Sequence, residues 1–516
     1  MKLSKSEFTI SKEWLLILTL AATKLLIHLF TFSNFELHRD AYLYYAQSEH
    51  LAWGFVSVPP FTAVIAKIAT TIFGNTTFGL RFFPALIGAI NVVIIGLMVK
   101  ELGGKKIAIA LASLAYIISP SYLHVNFLLQ PTSFNHFFWL LCGYLILMLV
   151  KRKDPKIWIW IGIAFGIGFL NKYSIIFFCA AFAISLLISQ HRSLYKSKYF
   201  VYSLILGFII ILPNLLWQYQ NNWPVMMHMA ELRETQLVHV KISDFIIDQF
   251  LMNGQSLLLW IGALLVLLFY KNEQQYRLFG LIYFIVIVLL MLGSGKSYYT
   301  LGVYPILFVF GAYFFEKYVK KYQKIVLSLL VISMFFYLYK SLSFGGIPFN
   351  TFEQAVKEKA YRWEGGDYHD IPQDMADMTG WSEIGQKVSE IYLSLGPENK
   401  DNCDIFCYHY GQAGAVLFYG KQNNIPQPIS FNGSFVFWDP DSLSKDYMIW
   451  VHTDYHSDFK PDSTLLQRFE KVELKATINN KYFRENPTRI YLCSFPNEYY
   501  KRYYKSLANE IKDEYR

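Results

Sequence analysis

Charge is scarce in this sequence. Only 16% of its 516 residues are Asp, Glu, Lys or Arg, against 54% apolar and 18% aromatic. That balance excludes an ordinary soluble domain and a disordered chain. Cysteine is scarce too, with five in all. No Cys-x-x-Cys pair and no His-Glu-x-x-His occurs, so the sequence offers no metal-ligand signature. Cys142 and Cys179 lie in apolar blocks as packing residues. Cys403, Cys407 and Cys493 lie in a polar C-terminal part, where a disulfide stays open as a possibility. No repeat of fixed period and no low-complexity tract is present. GSGKS at 293–297 lacks the first glycine of a nucleotide-binding P-loop, since Leu290 stands there and no strand precedes it. The net charge of +9 sits largely in short loops between apolar blocks. That placement argues against nucleic acid as a partner.

What is present is apolar blocks of about 15–20 residues, each suited to a membrane helix. The first, WLLILTLAATKLLIHLF, is followed by no small-residue cleavage site and is expected to remain as a span. Spans are expected near 14–33, 79–99, 107–124, 133–150, 157–170, 173–190, 199–216, 251–270, 278–293, 299–316 and 325–340, about eleven in all. Lys and Arg fall in alternate loops: 2–12, 100–106, 151–156, 192–198, 271–277 and 317–324. The positive-inside rule makes those loops cytoplasmic. The expectation is a multi-pass protein of the plasma (inner) membrane, with a cytoplasmic N-terminus. Residues 1–340 form its transmembrane domain, with a first outer loop at 34–78.

Beyond about residue 341 the apolar blocks vanish. WSEIGQKVSEIYLSL has helical spacing, with Ile384, Val388, Ile391 and Tyr392 on one face. DIFCYHYG, YMIWVHT and RIYLCSF read as strands. Residues 341–516 are expected to form an extracytoplasmic α/β domain.

The chemistry-bearing residues gather on the outer side. Asp40 follows the first span in HRDAYLYYAQ, between Arg39 and the pair Tyr44 and Tyr45. A carboxylate there can be a solvated cap or a partner of Arg39. The loop is not a plain linker, however: HLAWGFVSVPPFTAVIAKIATTIFG reads as two short interfacial helices broken at Val-Pro-Pro. Arg81, Lys172 and Lys296 lie on the same side. Each can snorkel to the interface; together they can surround a lipid phosphate. His124, Asn126, Gln130, Asn135 and His136 cluster near one turn and read as helix-packing polar groups, and His28 reads as a packing residue.

RDAYLYYAQSEHLAWGFVSVPPFTA, FGLRFFPALIGA, LLQPTSFNHFFWLL, FGIGFLNKYSIIFF, NLLWQYQNNWP and GKSYYTLGVYP follow in an order that resembles the GT-C glycosyltransferases using polyprenyl-phosphate sugars. The resemblance is to bacterial relatives of protein O-mannosyltransferases and lipid A aminoarabinose transferases, the glycosyltransferase family 39-like group. YGQAGAVLFYG and ISFNGSFVFWDP resemble the outer domain of one bacterial subgroup. The resemblance implies an inverting transfer on the outer face of the membrane, in the cell envelope. The donor would be a polyprenyl-phosphate-linked sugar and the acceptor a lipid, glycan or protein. Asp40 would be the catalytic base. Lys296, Arg81 and Lys172 would bind the donor phosphate, while Arg39, Tyr44 and Tyr45 would position the acceptor or the loop. Two positions depart from the pattern. Ala41 replaces a second acid, and Ser57-Val58 replaces charged residues before Pro-Pro, so no residues support a divalent metal. The rival reading is a transporter or flippase of lipid-linked or polar solutes, which predicts inverted repeats and mid-membrane charges. A third is a catalytically dead scaffold whose outer domain binds a partner.

Overall fold

Capping side chains set the first elements of the computed structural model, which describes residues 11–341, 351–453 and 461–515. The Ser11 side chain accepts from the Trp14 N–H and opens α1 (Lys12–Thr31). His38 Nδ1 accepts from the Asp40 N–H at the start of α2 (Arg39–Glu49). After α3 (Phe61–Phe73), Thr76 caps α4 (Thr77–Leu102). The chain continues through α5 (Lys106–Ile117), α6 (Pro120–Val125), α7 (Pro131–Arg152), α8 (Ile157–Asn171), α9 (Ile175–Ile188) and α10 (Lys198–Gln220). Then come α11 (Pro224–Thr235), α12 (Ile242–Leu251), α13 (Leu257–Phe269), α14 (Arg277–Leu292), α15 (Tyr304–Tyr318) and α16 (Gln323–Ser341).

Among the described residues, seven helical stretches are long and apolar enough to cross a membrane, or eight if the bent pair α12–α13 counts as one span. That is fewer than the eleven expected because three helices at expected positions are shorter than such a stretch. Helices α5, α8 and α9 occupy three expected positions but have only 12, 15 and 14 residues. At about 1.5 Å per residue they fall short of a hydrocarbon core about 30 Å thick. They pack closely on longer neighbours. A Cβ at Gly162 of α8 would lie 2.4 Å from the Ser203 carbonyl oxygen of α10, so only glycine permits that approach.

The basic loops meet at one end of the bundle. Arg152 pairs with Glu101, and Lys317 pairs with Glu273 at 2.5 Å. The Glu316 carboxylate accepts from the backbone N–H groups of Lys105, Ile107 and Ala108 at the start of α5. The loop after α1, residues 34–78, lies at the other end. Its second helix, α3, lies where the sequence reading put it, and the first does not. α2 begins earlier, at Arg39, and residues 50–60 are not helical. Gly54 and Pro59-Pro60 break the helix there, and Gly54 faces the Trp217 ring so closely that a side chain would collide with it.

The C-terminal part holds α17 (Phe352–Ala355), the small antiparallel pair β1 (Tyr361–Arg362) and β2 (Tyr368–His369), α18 (Gln373–Ala376), α19 (Trp381–Ser394), α20 (Pro397–Asp401), β3 (Cys403–Cys407) and α21 (Tyr410–Gly420). It closes with β4 (Tyr447–Thr453), α22 (Pro461–Leu466), β5 (Phe469–Ile478), β6 (Thr488–Pro496) and α23 (Glu498–Asp513). The main sheet has the order β3-β4-β6-β5, with β3 parallel to β4 and the other pairs antiparallel. The three expected strands are β3, β4 and β6, and α19 buries Ile384, Val388, Ile391 and Tyr392 as its spacing requires. The expected strand DIFCYHYG stops at Cys407, because His409 caps α21. All five cysteines are free.

Candidate functional site

Small residues bring the two parts of the chain together. A Cβ at Gly414 would lie 2.6 Å from the Tyr42 carbonyl oxygen, and one at Gly411 would lie 2.8 Å from Arg39 Cγ. Helix α21 therefore rests directly on α2. Polar contacts lock the seat. Glu49 of α2 pairs with Lys67 of α3 and Lys421 beyond α21. The Ser434 hydroxyl oxygen accepts from Gln47 Nε2 and from the Val56 N–H, each at 3.2 Å. The Glu36 carboxylate accepts from the Trp381 and Ser382 N–H groups and so caps α19.

Asp40 lies at this junction. Its Oδ1 accepts from the Tyr410 hydroxyl at 2.7 Å, and its Oδ2 accepts from Gln130 Nε2 at 3.2 Å. Arg39 Nε and His38 Nδ1 each lie 3.8 Å from a carboxylate oxygen. Burial alone would raise the Asp40 carboxyl. His38, Arg39 and the Tyr410 bond outweigh it and hold the group below the ordinary aspartate value. The side chain keeps 27% of its surface exposed, so the carboxylate is fixed in direction and still open to an incoming group.

One expected cation, Lys172, is close enough to Asp40 for the two charges to act on each other, and a second, Lys296, is close to Lys172. Lys172, in the α8–α9 turn, donates to Thr132 Oγ1 at 2.8 Å and lies over the Tyr299 ring at 4.6 Å. Burial, and then the neighbouring Lys296 charge, push its ammonium down to about 7 against a weaker pull from Asp40. Lys296 donates to Gln236 Oε1 at 2.6 Å and Glu364 Oε1 at 2.7 Å. Tyr44 is buried close enough to Asp40 and Tyr299 for their charges to act on it.

The remaining expected residues are committed to architecture. Arg81 is 1% exposed and donates to the backbone carbonyls of Phe32, Phe35 and Glu36, with Phe127 stacked at 3.9 Å. It clasps the segment that carries Glu36. The Tyr45 hydroxyl oxygen accepts from Asn75 Nδ2 at 2.7 Å, and its ring packs on Phe418. Arg39 stacks on the Tyr410 ring and lies 3.8 Å from Asp377.

His38, Asp374 and Asp377 each bring one potential ligand atom within 4.8 Å of the others. The donor set does not fit a metal ion. Arg484 Nη1 already reaches both Asp377 oxygens, at 3.3 and 3.2 Å. His38 Nε2 faces the two acids at 3.6 Å, the place of a proton donor to them and not of a metal ligand beside them. The trio is an ion-pair network with Arg39 and Arg484.

Sequence reasoning missed Tyr410, and it placed Gln130 and His124 among packing residues. Gln130 holds Asp40, and His124 Nε2 meets Asp374 at 2.8 Å. Asn126 and Asn135 are packing groups, bonded to Pro84 and Trp139. One signal was available for Tyr410: two small residues at 411 and 414 directly after a tyrosine mark a helix face built for close approach.

Comparison with known proteins agrees with this architecture. Residues 57–217 match the family model described as dolichyl-phosphate-mannose-protein mannosyltransferase. Lipid A galacturonosyltransferase RgtD from Rhizobium johnstonii is 22% identical over 218 residues, 42% of this chain and 46% of that protein, so the chain spans about half the length of this curated relative. The crystal structure of ArnT from Cupriavidus metallidurans bound to undecaprenyl phosphate matches with a TM-score of 0.63 at 12% identity, covering 94% of this chain and 98% of that one. The same enzyme in the apo state gives 0.58 at 12% identity over 93% and 97%. The resemblance read from the sequence to the GT-C polyprenyl-phosphate-sugar glycosyltransferases is borne out, and the fold is ArnT-like.

Proposed function

We propose that this chain is a membrane glycosyltransferase that moves a sugar from a polyprenyl-phosphate donor to an acceptor hydroxyl on the outer face of the plasma membrane. The observation that carries the reading is one ionised carboxylate, Asp40, aimed by two hydrogen bonds, with Lys172 close enough for its charge to act on it and Lys296 beside Lys172. The first outer loop lies at the end of the bundle opposite the basic loops, which supports an outward-facing site.

In this reading the donor's phosphate sits against Lys172 and Lys296. The acceptor oxygen attacks the anomeric carbon from the side away from the phosphate, and configuration inverts. The bond to the phosphate oxygen breaks, and its electron pair stays on the phosphate. The lysines stabilise that growing charge in a partly dry setting. The acceptor hydroxyl becomes strongly acidic as its new bond forms. A weakly basic carboxylate can therefore take its proton, and Asp40 Oδ2 or Oδ1 receives it. Tyr410 and Gln130 hold the carboxylate in place, which supplies orientation. Arg81 acts on the loop instead of the phosphate. The transporter reading predicts no such aimed base.

The test is transfer from a polyprenyl-phosphate sugar by purified Asp40→Asn protein. A loss of about 10²–10⁴-fold in kcat with donor binding retained supports the base assignment. Transfer at the wild-type rate refutes it. Gene deletion with mass spectrometry of lipid-linked sugars and envelope glycans names the donor: one polyprenyl-phosphate sugar accumulates. An unchanged profile with altered solute uptake supports transport instead.

A further inference from the structure

The short turn between β1 and β2 carries an acid to the donor side of the site. Glu364 Oε1 accepts from Lys296 Nζ at 2.7 Å, and Gln236 Oε1 occupies a second position on the same ammonium at 2.6 Å. The Lys296 side chain is only 15% exposed, so this pair is largely shielded from water. Shielding makes the ammonium seek an anion and makes any anion there hard to ignore.

The turn is held from several sides. The Glu364 N–H donates to Gln373 Oε1 at 2.8 Å. Trp363 stacks on His369 at 3.6 Å and donates from Nε1 to the Ile371 carbonyl at 2.9 Å. Arg362 reaches the His239 carbonyl at 3.5 Å and Asp244 at 4.0 Å. Gly366, with φ +93°, permits the reversal that follows. The Glu364 carboxylate itself is fastened only through Lys296 among the described residues, and it keeps 35% of its surface exposed. A fixed backbone thus presents a side chain able to swing away.

We propose that Glu364 occupies the seat of the donor's phosphate and must leave Lys296 before the donor can bind. The inference rests on the reading of Lys296 as a phosphate ligand. A carboxylate and a phosphate oxygen meet an ammonium through the same charge-assisted hydrogen bond, so the two compete for one place. With the donor absent, Glu364 neutralises a shielded cation. With the donor present, the phosphate replaces it, and the extra negative charge of Glu364 repels a wrongly seated anion. Glu364 thereby selects for ligands whose phosphate binds strongly enough to displace it.

The experiment measures binding of undecaprenyl phosphate, and of undecaprenol as the uncharged control, to the full-length protein in nanodiscs. Wild type, Glu364→Gln and Lys296→Met are compared, with thermal unfolding to confirm that each variant is folded. The expected result is that Glu364→Gln binds undecaprenyl phosphate at least about tenfold more tightly, the scale of one lost charge-assisted competitor. Undecaprenol binding stays the same, and Lys296→Met weakens undecaprenyl phosphate alone. Equal or weaker phosphate-lipid binding by Glu364→Gln, with Lys296→Met still impaired, overturns the competitor role and makes Glu364 a support for Lys296. Unchanged binding by Lys296→Met overturns the phosphate assignment beneath it, and the proposal with it.

Discussion

The Tyr410 hydroxyl donates to Asp40 Oδ1 across 2.7 Å, joining residues 370 positions apart in the chain. One partner lies in the first turn of α2 and the other opens α21. Tyr410→Phe removes only the oxygen. A hydrogen bond to a charged group contributes about 1.5–3 kcal/mol, so kcat falls roughly tenfold to a hundredfold. The bond favours the ionised form, so its loss raises the Asp40 pKa and moves the acid limb of the pH–rate profile to higher pH. An unmoved acid limb in steady-state assays from pH 3 to 7 would contradict this.

Lys172 sets the alkaline side. Its ammonium is pushed down to about 7, so the charge is present below that pH and is lost as pH rises through it. The kcat/KM profile, which reports the free enzyme, declines above about pH 7. The limb in kcat lies higher, because a bound phosphate favours the charged lysine. Lys172→Arg keeps its charge throughout and removes the alkaline limb near 7 from kcat/KM.

Arg81 separates architecture from donor binding. It is nearly fully buried on three backbone carbonyls, so Arg81→Met leaves those carbonyls unpaired. Stability falls by about 2–4 kcal/mol, read as a lower unfolding temperature and poor yield. The folded fraction binds undecaprenyl phosphate as wild type does. Selective loss of that binding in a stable protein would return Arg81 to the phosphate site.

Helix α21 depends on close approach. Gly414→Val drives a side chain into the Tyr42 backbone, and relief requires α21 to lift from α2. The expected cost is about 1–3 kcal/mol of domain docking. Because Tyr410 lifts with the helix, kcat falls as well. Limited proteolysis that shows a newly released C-terminal domain would check the first effect, and transfer assays the second.

Hydropathy and charge made the bundle legible, since each apolar block is a helix and the basic loops share one end. They did not reveal that α5, α8 and α9 are short, because apolar composition does not record where a helix ends. Asp40 was visible as an acid in an aromatic loop. Gln130 and Tyr410 were not, since their roles arise from contacts across 90 and 370 positions that no local pattern records. Arg81 read as a free interfacial cation because its partners are backbone carbonyls, which leave no mark in side-chain sequence. β5 was missed because FEKVELKATI carries charges at alternate places on an edge strand.

Synthesis runs from one end of the polypeptide to the other, and that gives the Asp40–Tyr410 pairing a temporal meaning. A nascent chain inserts its helices and displays its aspartate long before the residue that steadies it has left the ribosome. Only a finished chain completes the pairing. A chain cut short before α21 would keep the helices and the aspartate and lack the pairing.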